Sequence, residues 1–147
     1  MRISLGADHG GYVMKDEIKK RLEDLGHTIF DAGTNSAEMV DYPIYAKKAI
    51  SLMQNQKCDF AILVCGTGIG MSIAANKIDG VRAALVTDCF SARMAKEHNN
   101  ANVICLGART LGIELAWEIV KSYISSSFSE GIHTKRVEML DNMKEVL

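Results

Sequence analysis

The sequence predicts an α/β protein in which a parallel sheet is covered by helices on both faces. Two observations support this prediction. Short apolar runs typical of strands alternate along the chain with longer segments of helical period, which is the pattern of βαβ units. One run, over residues 59–64, is apolar at every position after its first. A continuous run of this kind is expected of a strand that is buried on both faces.

Five strands and six helices follow from this alternation. Apolar runs predict strands over residues 2–7, 28–31, 59–64, 81–86 and 103–106. Helical periodicity predicts helices over residues 10–25, 43–53, 71–78, 91–97, 111–124 and 133–146. Gly26 is placed to end the first helix and Pro43 to begin the second. Residues 33–39 are predicted to form a loop.

The helices are expected to bury one face each. In the first helix, Met14, Ile18, Leu22 and Leu25 share a face and Lys15 lies among the polar residues outside it. In the fifth helix the expected buried residues are Leu115, Ile119 and Ile124. In the last helix the apolar residues are Val137, Leu140, Met143 and Leu147.

Length and charge limit the class of protein. The 147 residues, 48% hydrophobic and 24% charged, are expected to form one domain over 1–147, and a chain of about 150 residues can bury roughly two thirds of its unfolded surface. A formal net charge of −1 and the absence of a Lys/Arg run argue against a nucleic-acid partner. The first apolar run is soon broken by polar residues and glycine, which argues against a signal peptide. No stretch approaches the roughly 18 apolar residues of a membrane span, so no membrane partner is expected.

Four cysteines, Cys58, Cys65, Cys89 and Cys105, contain no C-x-x-C pair and match no zinc framework. They are interpreted as free thiols of a protein in a reducing cytoplasm.

Several polar residues follow the predicted strands directly. They are Asp8 and His9 after the first strand, Cys65 to Gly70 after the third, Asp88 after the fourth and Arg109 after the fifth. Ligands of open parallel sheets bind beyond the carboxyl ends of the strands. A binding site is therefore expected at this edge of the sheet.

The segment Cys65-Gly66-Thr67-Gly68-Ile69-Gly70 is the strongest local feature. Its glycines allow a tight turn in which several backbone N–H groups point at one spot. With a helix N-terminus behind them, these groups favour an anion, a developing oxyanion or a thiolate. The turn therefore predicts a base or nucleophile beside an oxyanion hole, although an inert buried cysteine in a tight strand–helix turn would give the same letters.

Three other glycine-turn motifs were compared with these letters. The chain contains no G-x-x-x-x-G-K-[ST] segment, so a P-loop is excluded. A G-x-G-x-x-G dinucleotide turn starting at Gly66 would need its third glycine at position 71, and a cysteine phosphatase loop would need arginine there. Met71 occupies that position, although Asp88 lies at the distance at which a dinucleotide site places its acidic residue.

Further polar residues are candidates for the site. Asp8 could contact a ligand or cap the following helix, and His9 beside it has no comparable structural role. His98 and Asn99 stand at a predicted helix end, where they could serve a ligand or simply the helix terminus. Arg109 and Arg136 are candidate phosphate ligands, because guanidinium groups match phosphate oxygens, although either could be a surface residue. His27 and His133 are interpreted as surface histidines.

Together the segments GADHGG, DYP, CGTGIG, IAANKIDGVRAAL, EHNNANVICLGAR and RVEML resemble the type B ribose-5-phosphate isomerases. That family also includes galactose-6-phosphate isomerase subunits and allose-6-phosphate isomerases. The resemblance runs in order from Met1 almost to the C-terminus. It implies a Rossmann-like α/β/α sandwich with a five-stranded parallel sheet, no metal, no cofactor, and a homodimer or dimer of dimers with shared active sites.

The resemblance also implies a role for each matching residue. Cys65 would abstract the C2 proton of the sugar, and Thr67 would help to move protons between its two oxygens. Backbone N–H groups across Gly66, Gly68, Ile69 and Gly70 would hold the enediolate. His98, with Asn99, would open the furanose ring from the neighbouring subunit. The expected sugar-hydroxyl contacts are Asp8 and Tyr42, and the expected phosphate ligands are His9, Arg109 and Arg136.

One departure from the family pattern concerns the phosphate. The family usually has arginine four residues before the position of Arg136, and this chain has Ile132. The expected reaction is the interconversion of ribose 5-phosphate and ribulose 5-phosphate, with a six-carbon sugar phosphate as the alternative substrate. A hydrolase or transferase with Cys65 as nucleophile and a nucleotide-binding module remain as rival interpretations.

Overall fold

The computed structural model describes residues 1–56 and 58–143. The strands are β1 (Arg2–Ala7), β2 (Thr28–Asp31), β3 (Phe60–Cys65), β4 (Ala83–Leu85) and β5 (Val103–Gly107). The helices are α1 (Tyr12–Asp24), α2 (Tyr42–Asn55), α3 (Ile69–Ala75), α4 (Cys89–Glu97), α5 (Ile113–Ile124) and α6 (Ile132–Asp141). This alternation confirms the predicted α/β class. The predicted continuation of the last helix over 144–146, and Leu147, lie outside the described residues.

The five strands form one parallel sheet in the order β2-β1-β3-β5-β4. The chain moves outward from β1 to β2 and then crosses to β3 on the other side of β1. The topological switch point therefore lies between β1 and β3, and ligands of such sheets bind at the carboxyl ends of the strands at this point. Asp8 follows β1 and Cys65 ends β3, so both residues stand at the switch point.

Helices cover both faces of the sheet and bury one apolar cluster on each. Helices α1, α4 and α5 pack with one cluster, and helices α2 and α3 with the other. Gly26 ends the first helix in the left-handed region at φ 82°, as predicted. Within the described residues, no helix combines the length and apolar content needed to cross a membrane.

Of the apolar residues named on α6, Val137 is buried, whereas Leu140 and Met143 are exposed. Three further expectations about burial are wrong. Leu25 and Leu115 are exposed. Helix α1 ends at Asp24, so Leu25 is its C-cap and lies beyond the part of the helix that packs on the sheet. Leu115 lies outside the stripe that α5 presents to the sheet. On α5 that stripe consists of Ala116, Ile119, Val120 and Tyr123. Lys15, expected on the polar face of α1, is fully buried, because its ammonium group meets acidic and amide oxygens there.

Most element boundaries differ from the sequence prediction by a few residues, and two of these differences have a clear cause. Strand β4 is shorter than predicted because Val81 belongs to a turn in which its N–H donates to Ile78 O at 3.2 Å. Helix α3 begins two residues earlier than predicted, directly after Gly68, whose φ of 77° ends the turn. The glycine turn and the helix are therefore continuous.

Candidate active site

Cys65 is buried at the end of β3, where the chain turns through Gly66 to Gly68 into α3. The N–H of Gly68 donates a hydrogen bond to Cys65 Sγ at 3.1 Å. A Cβ atom at Gly68 would lie 2.5 Å from Leu85 Cδ1, and φ is 77°, so only glycine fits this position. The sulfur is therefore held by a backbone donor at the start of the turn.

Thr67 and Ile69 are exposed at the outer side of the same turn. The N–H of Ile69 donates to Thr67 Oγ1 at 3.4 Å. In that bond the threonine oxygen is the acceptor, so its own hydroxyl proton remains available for donation to a ligand.

The segment that contains Asp8 and Gly10 lies against the start of the glycine turn. A Cβ atom at Gly10 would lie 3.3 Å from the backbone nitrogen of Gly66. Asp8 Oδ1 accepts the N–H of Gly10 at 2.8 Å, while the N-cap of α1 is Gly11 and carries no side-chain cap bond. Asp8 is therefore not the helix cap that the sequence left open as an alternative.

His9 is half-buried and is held by the loop that precedes α2. The Val40 N–H lies 3.2 Å from His9 Nδ1 and the Val40 carbonyl 3.3 Å from it. In the neutral tautomer whose Nδ1 accepts from Val40, the proton is on Nε2. The ring can then donate to an anion through that nitrogen.

Tyr42 and Arg109 flank the turn. Tyr42 is the first residue of α2, and a Cβ atom at Gly70 would lie 2.7 Å from Tyr42 Cζ. Arg109 donates its backbone N–H to Gly66 O at 2.9 Å. Its side chain runs along Gly66, where a Cβ atom would lie 3.3 Å from Arg109 Nε. A phenol and a guanidinium group therefore stand beside the glycine turn.

Asp88, at the same edge, caps a helix. Its carboxylate accepts the Ser91 N–H at 2.8 Å and the Ser91 hydroxyl at 2.7 Å. These bonds lower the pKa of Asp88. This structural role explains the carboxylate without a nucleotide.

His98 and Asn99 lie at the opposite edge of the sheet from Cys65. Helix α4 begins after β4 and ends beside the start of β5, where the Ala101 N–H donates to Ala95 O at 2.9 Å. A helix of nine residues spans about 13 Å. The chain therefore does not bring His98 and Asn99 to its own Cys65.

His133 and Arg136 on α6 share this amino edge. The rings of His98 and His133 stack with centroids 4.2 Å apart and an interplanar angle of 9°. Partial burial lowers the pKa of His133, and the charges of His98 and Arg136 lower it further. His133 is thus a partly exposed histidine, in agreement with its interpretation as a surface residue, and its ring also stacks on His98. Its spacing of three residues from Arg136 on a helix was the signal that could have placed both on one face.

The predicted site residues thus form two groups. The carboxyl-edge group comprises Asp8, His9, Tyr42, Cys65, Gly66, Thr67, Gly68, Ile69, Gly70 and Arg109. The amino-edge group comprises His98, Asn99 and Arg136, with His133 added by the structure. Asn99 also lines a cavity of about 630 Å³ beside the Arg82–Asp141 ion pair.

The carboxyl-edge group combines a thiol with an N–H donor on its sulfur, a hydroxyl group and two cationic or protonatable side chains. Such a set suits proton transfer at a carbon next to a carbonyl in a small anionic substrate. Among residues 1–56 and 58–143, no group of three or more His, Cys, Asp or Glu side chains is arranged to hold a metal ion. Proton transfer of this kind is the step that isomerases of small carbonyl compounds catalyse.

The chain belongs to the ribose/galactose isomerase family, whose sequence model it matches over residues 3–140. It is 39% identical over 144 residues to ribose-5-phosphate isomerase B of Escherichia coli, covering 98% of this chain and 97% of that protein. It is 38% identical over 149 residues to the galactose-6-phosphate isomerase subunit LacB of Clostridium acetobutylicum, covering 98% and 86%. The structure resembles that of Clostridium thermocellum ribose-5-phosphate isomerase B with a TM-score of 0.96 and 43% identity, covering 99% and 98%. The resemblance found in the sequence and the predicted five-stranded parallel α/β/α fold are both confirmed.

Proposed function

We propose that the protein is an aldose–ketose isomerase that interconverts ribose 5-phosphate and ribulose 5-phosphate through an enediolate. The observation that carries this proposal is the Gly68 N–H on Cys65 Sγ, within a glycine turn that lies against Gly10 and the Arg109 side chain. Family membership and the named relatives support the same reaction.

In the proposed reaction the Cys65 thiolate takes the C2 proton of the open-chain aldose. The electron pair left on C2 moves into the C1–C2 bond, and the negative charge develops on the carbonyl oxygen. N–H groups of the turn over 66–70 would stabilise that charge. The proton returns from Cys65 to C1, while the Thr67 hydroxyl transfers a proton between the two oxygens. Because hydrogen moves as a proton and no net oxidation occurs, the reaction needs no redox cofactor.

The phosphate would be held by His9 and Arg109 at the carboxyl edge. A guanidinium group pairs well with phosphate oxygens, and His9 can donate through Nε2. Asp8 and Tyr42 would contact sugar hydroxyl groups between the phosphate and the glycine turn. In this proposal each part of the sugar phosphate is thus contacted by a particular side chain.

The ring-opening residue would come from a second copy of the chain. Ring opening needs an acid–base group at the sugar ring, and His98 with Asn99 lies at the wrong edge of its own sheet to reach it. Ile69, Ile73 and Leu85, next to the glycine turn, are all exposed. Exposed apolar side chains grouped beside a site are typical of a contact surface. We therefore propose a homodimer in which each site combines Cys65 of one copy with His98 and Arg136 of the other.

Cysteine chemistry is consistent with a cytoplasmic location for this reaction, which we include in the proposal. All four cysteines are free, as the sequence analysis predicts. A thiol base requires a reducing compartment to remain active.

Turnover in heavy water tests the reaction. Proton NMR of ribose 5-phosphate with the enzyme should show ketose formation and replacement of the C2 hydrogen by deuterium. A covalent thiol adduct without C2 exchange would favour a Cys65 nucleophile instead. Nucleotide binding without any sugar turnover would favour a binding module.

Mixing two inactive variants tests the shared site. Homodimers of Cys65→Ala and of His98→Ala should both be impaired, because each site lacks one member. A mixed dimer would have one doubly damaged site and one intact site, so refolding the two variants together should restore activity. If native mass spectrometry confirms mixed dimers and activity stays absent, both residues act within one chain.

A six-carbon sugar phosphate is the second candidate substrate. Ile132 takes the place of a family arginine and is 71% exposed at the start of α6. A pocket that lacks this cation could accept a longer substrate whose phosphate lies elsewhere. The relation to a galactose-6-phosphate isomerase subunit makes this the alternative to test.

A further inference from the structure

Lys15 is a fully buried charge outside the candidate active site. Its ammonium group donates to Asp31 Oδ1 and Oδ2, both at 2.8 Å, and to Asn35 Oδ1 at 2.7 Å. Asp16 Oδ1 lies 2.9 Å from the same nitrogen. Burying an ammonium group is unfavourable unless its donors are satisfied, and here oxygens from three side chains surround it.

Asp31 is the main partner of this lysine and ends the edge strand β2. Burial alone would raise the pKa of Asp31, but the hydrogen bonds from Lys15 and from the Gly33 N–H, with the Lys15 charge, outweigh burial and lower it. The Gly33 N–H donates to Asp31 Oδ1 at 2.8 Å. The Lys15–Asp31 pair is therefore hydrogen-bonded to the start of the loop that follows β2.

That loop, over residues 32–41, has no regular secondary structure and is attached to the site at both ends. At its start, Ala7 N–H donates to Gly33 O and Thr34 N–H to Ala7 O, each at 2.6 Å. Ala7 immediately precedes Asp8. At its end, Val40 N–H contacts His9 Nδ1, and two residues later Tyr42 begins α2.

We propose that Lys15 is a positioning residue for the substrate site. It ties the loop over 32–41 to α1 through two arms, one to Asp31 and one to Asn35, and this tie holds Val40 against His9. The effect on catalysis rests on the proposed isomerase function, in which His9 contacts the phosphate. The effect on the loop does not depend on that function.

The hydrogen bond from Lys15 to Asn35 allows a positioning role to be tested separately from a role in folding. An apolar residue at position 15 would fill the buried space but could not bond to the loop. The lysine instead reaches Asn35, which is exposed and contributes nothing to the core. Replacing Lys15 itself would leave Asp31 without its main partner and endanger the fold. Asn35 can be changed while the Lys15–Asp31 pair stays intact.

The experiment compares Asn35→Leu, which removes the acceptor, with Asn35→Asp, which keeps one. Lys19→Met is the matched control, because Lys19 also bonds to Asp31, at 3.2 Å, and makes no contact with Asn35 in the structure. Amide hydrogen exchange of Val40 and the ¹⁵N shift of His9 Nδ1 are measured without substrate. KM and kcat for ribose 5-phosphate are measured on the same proteins.

In Asn35→Leu, the amide hydrogen of Val40 should exchange roughly fivefold to tenfold faster, which is the effect expected from the loss of one hydrogen bond. The ¹⁵N chemical shift of His9 Nδ1 should move towards that of a nitrogen that accepts no hydrogen bond. KM should rise by a similar factor with kcat within about twofold. Asn35→Asp and Lys19→Met should resemble the parent protein. Unchanged Val40 exchange and His9 shift in Asn35→Leu would overturn the proposal, as would equal changes in Lys19→Met. Changed loop signals without any sugar turnover in the parent would instead reject the isomerase function alone.

Discussion

Gly70→Ala should lower kcat/KM without destabilising the fold. The added Cβ would lie 2.7 Å from Tyr42 Cζ, 2.8 Å from Cε2 and 3.1 Å from Cε1. Carbon atoms prefer separations of about 3.5–4.0 Å, so the ring must move by about 1 Å. Tyr42 is 39% exposed and can swing outward, which leaves the core undisturbed.

The size of the effect follows from that displacement. A shift of about 1 Å in a positioning group can reduce the rate by about 10²-fold, so kcat/KM should fall roughly 10- to 100-fold. Stability should hold or rise slightly, because Gly70 lies in α3 and alanine is the better helix former. Gly112→Ala is the control, since a Cβ there meets nothing within 4 Å; it should leave kcat/KM unchanged.

A double-mutant cycle shows whether the loss acts through the tyrosine ring. In a Tyr42→Ala background, Gly70→Ala should cause almost no further loss, because the contact that moves the ring is gone. The assay is initial-rate isomerisation of ribose 5-phosphate, with thermal unfolding followed on each variant. Full activity in Gly70→Ala, or an equal loss in both backgrounds, would refute the argument.

Three further predictions concern the base, the substrate and the buried ion pair. Cys65→Ala should fold normally and lose about 10²–10⁴-fold in kcat. Cys65→Ser should be nearly as inactive, because the serine hydroxyl stays protonated near neutral pH. A near-normal kcat in Cys65→Ala would show that Cys65 is not the base. Ribose 5-phosphate should be the best substrate if Lys135, which is adjacent to Arg136, takes over the phosphate contact of the family arginine that Ile132 replaces. Lys135→Ala should then raise the KM for ribose 5-phosphate with little change in kcat. A preference for a hexose phosphate that Ile132→Arg shifts back towards ribose 5-phosphate would overturn the choice of substrate. The lowered pKa of Asp31 means that its ion pair stabilises the fold above the ordinary aspartate pKa and is lost as pH falls through the lower folded value. The free energy of unfolding, measured with urea between about pH 5 and about pH 3, should therefore decrease less in Asp31→Asn than in the parent protein. An equal decrease in the two proteins would contradict a stabilising Lys15–Asp31 ion pair.

The sequence was sufficient for the elements and for the carboxyl-edge half of the site. Strand and helix periods are local properties, so the alternation was readable without tertiary information. In a parallel sheet, residues that directly follow successive strands meet at one edge. Asp8, Cys65 and Arg109 could therefore be placed together from their positions alone. His98 precedes β5, so the same rule places it at the opposite, amino edge; its expected role at the site of a neighbouring subunit came only from the family resemblance.

The tertiary structure alone decided the contacts between residues that share no local pattern. Lys15 sits in a helical repeat that reads as a polar face, and only the nearby end of β2 supplies the oxygens that let its charge be buried. The stack of His133 on His98 joins two helices 35 positions apart in sequence, and the Tyr42 ring meets Gly70 across two elements. Periodicity records which side of a helix or strand avoids water, whereas the partner that each side chain meets depends on how distant elements pack.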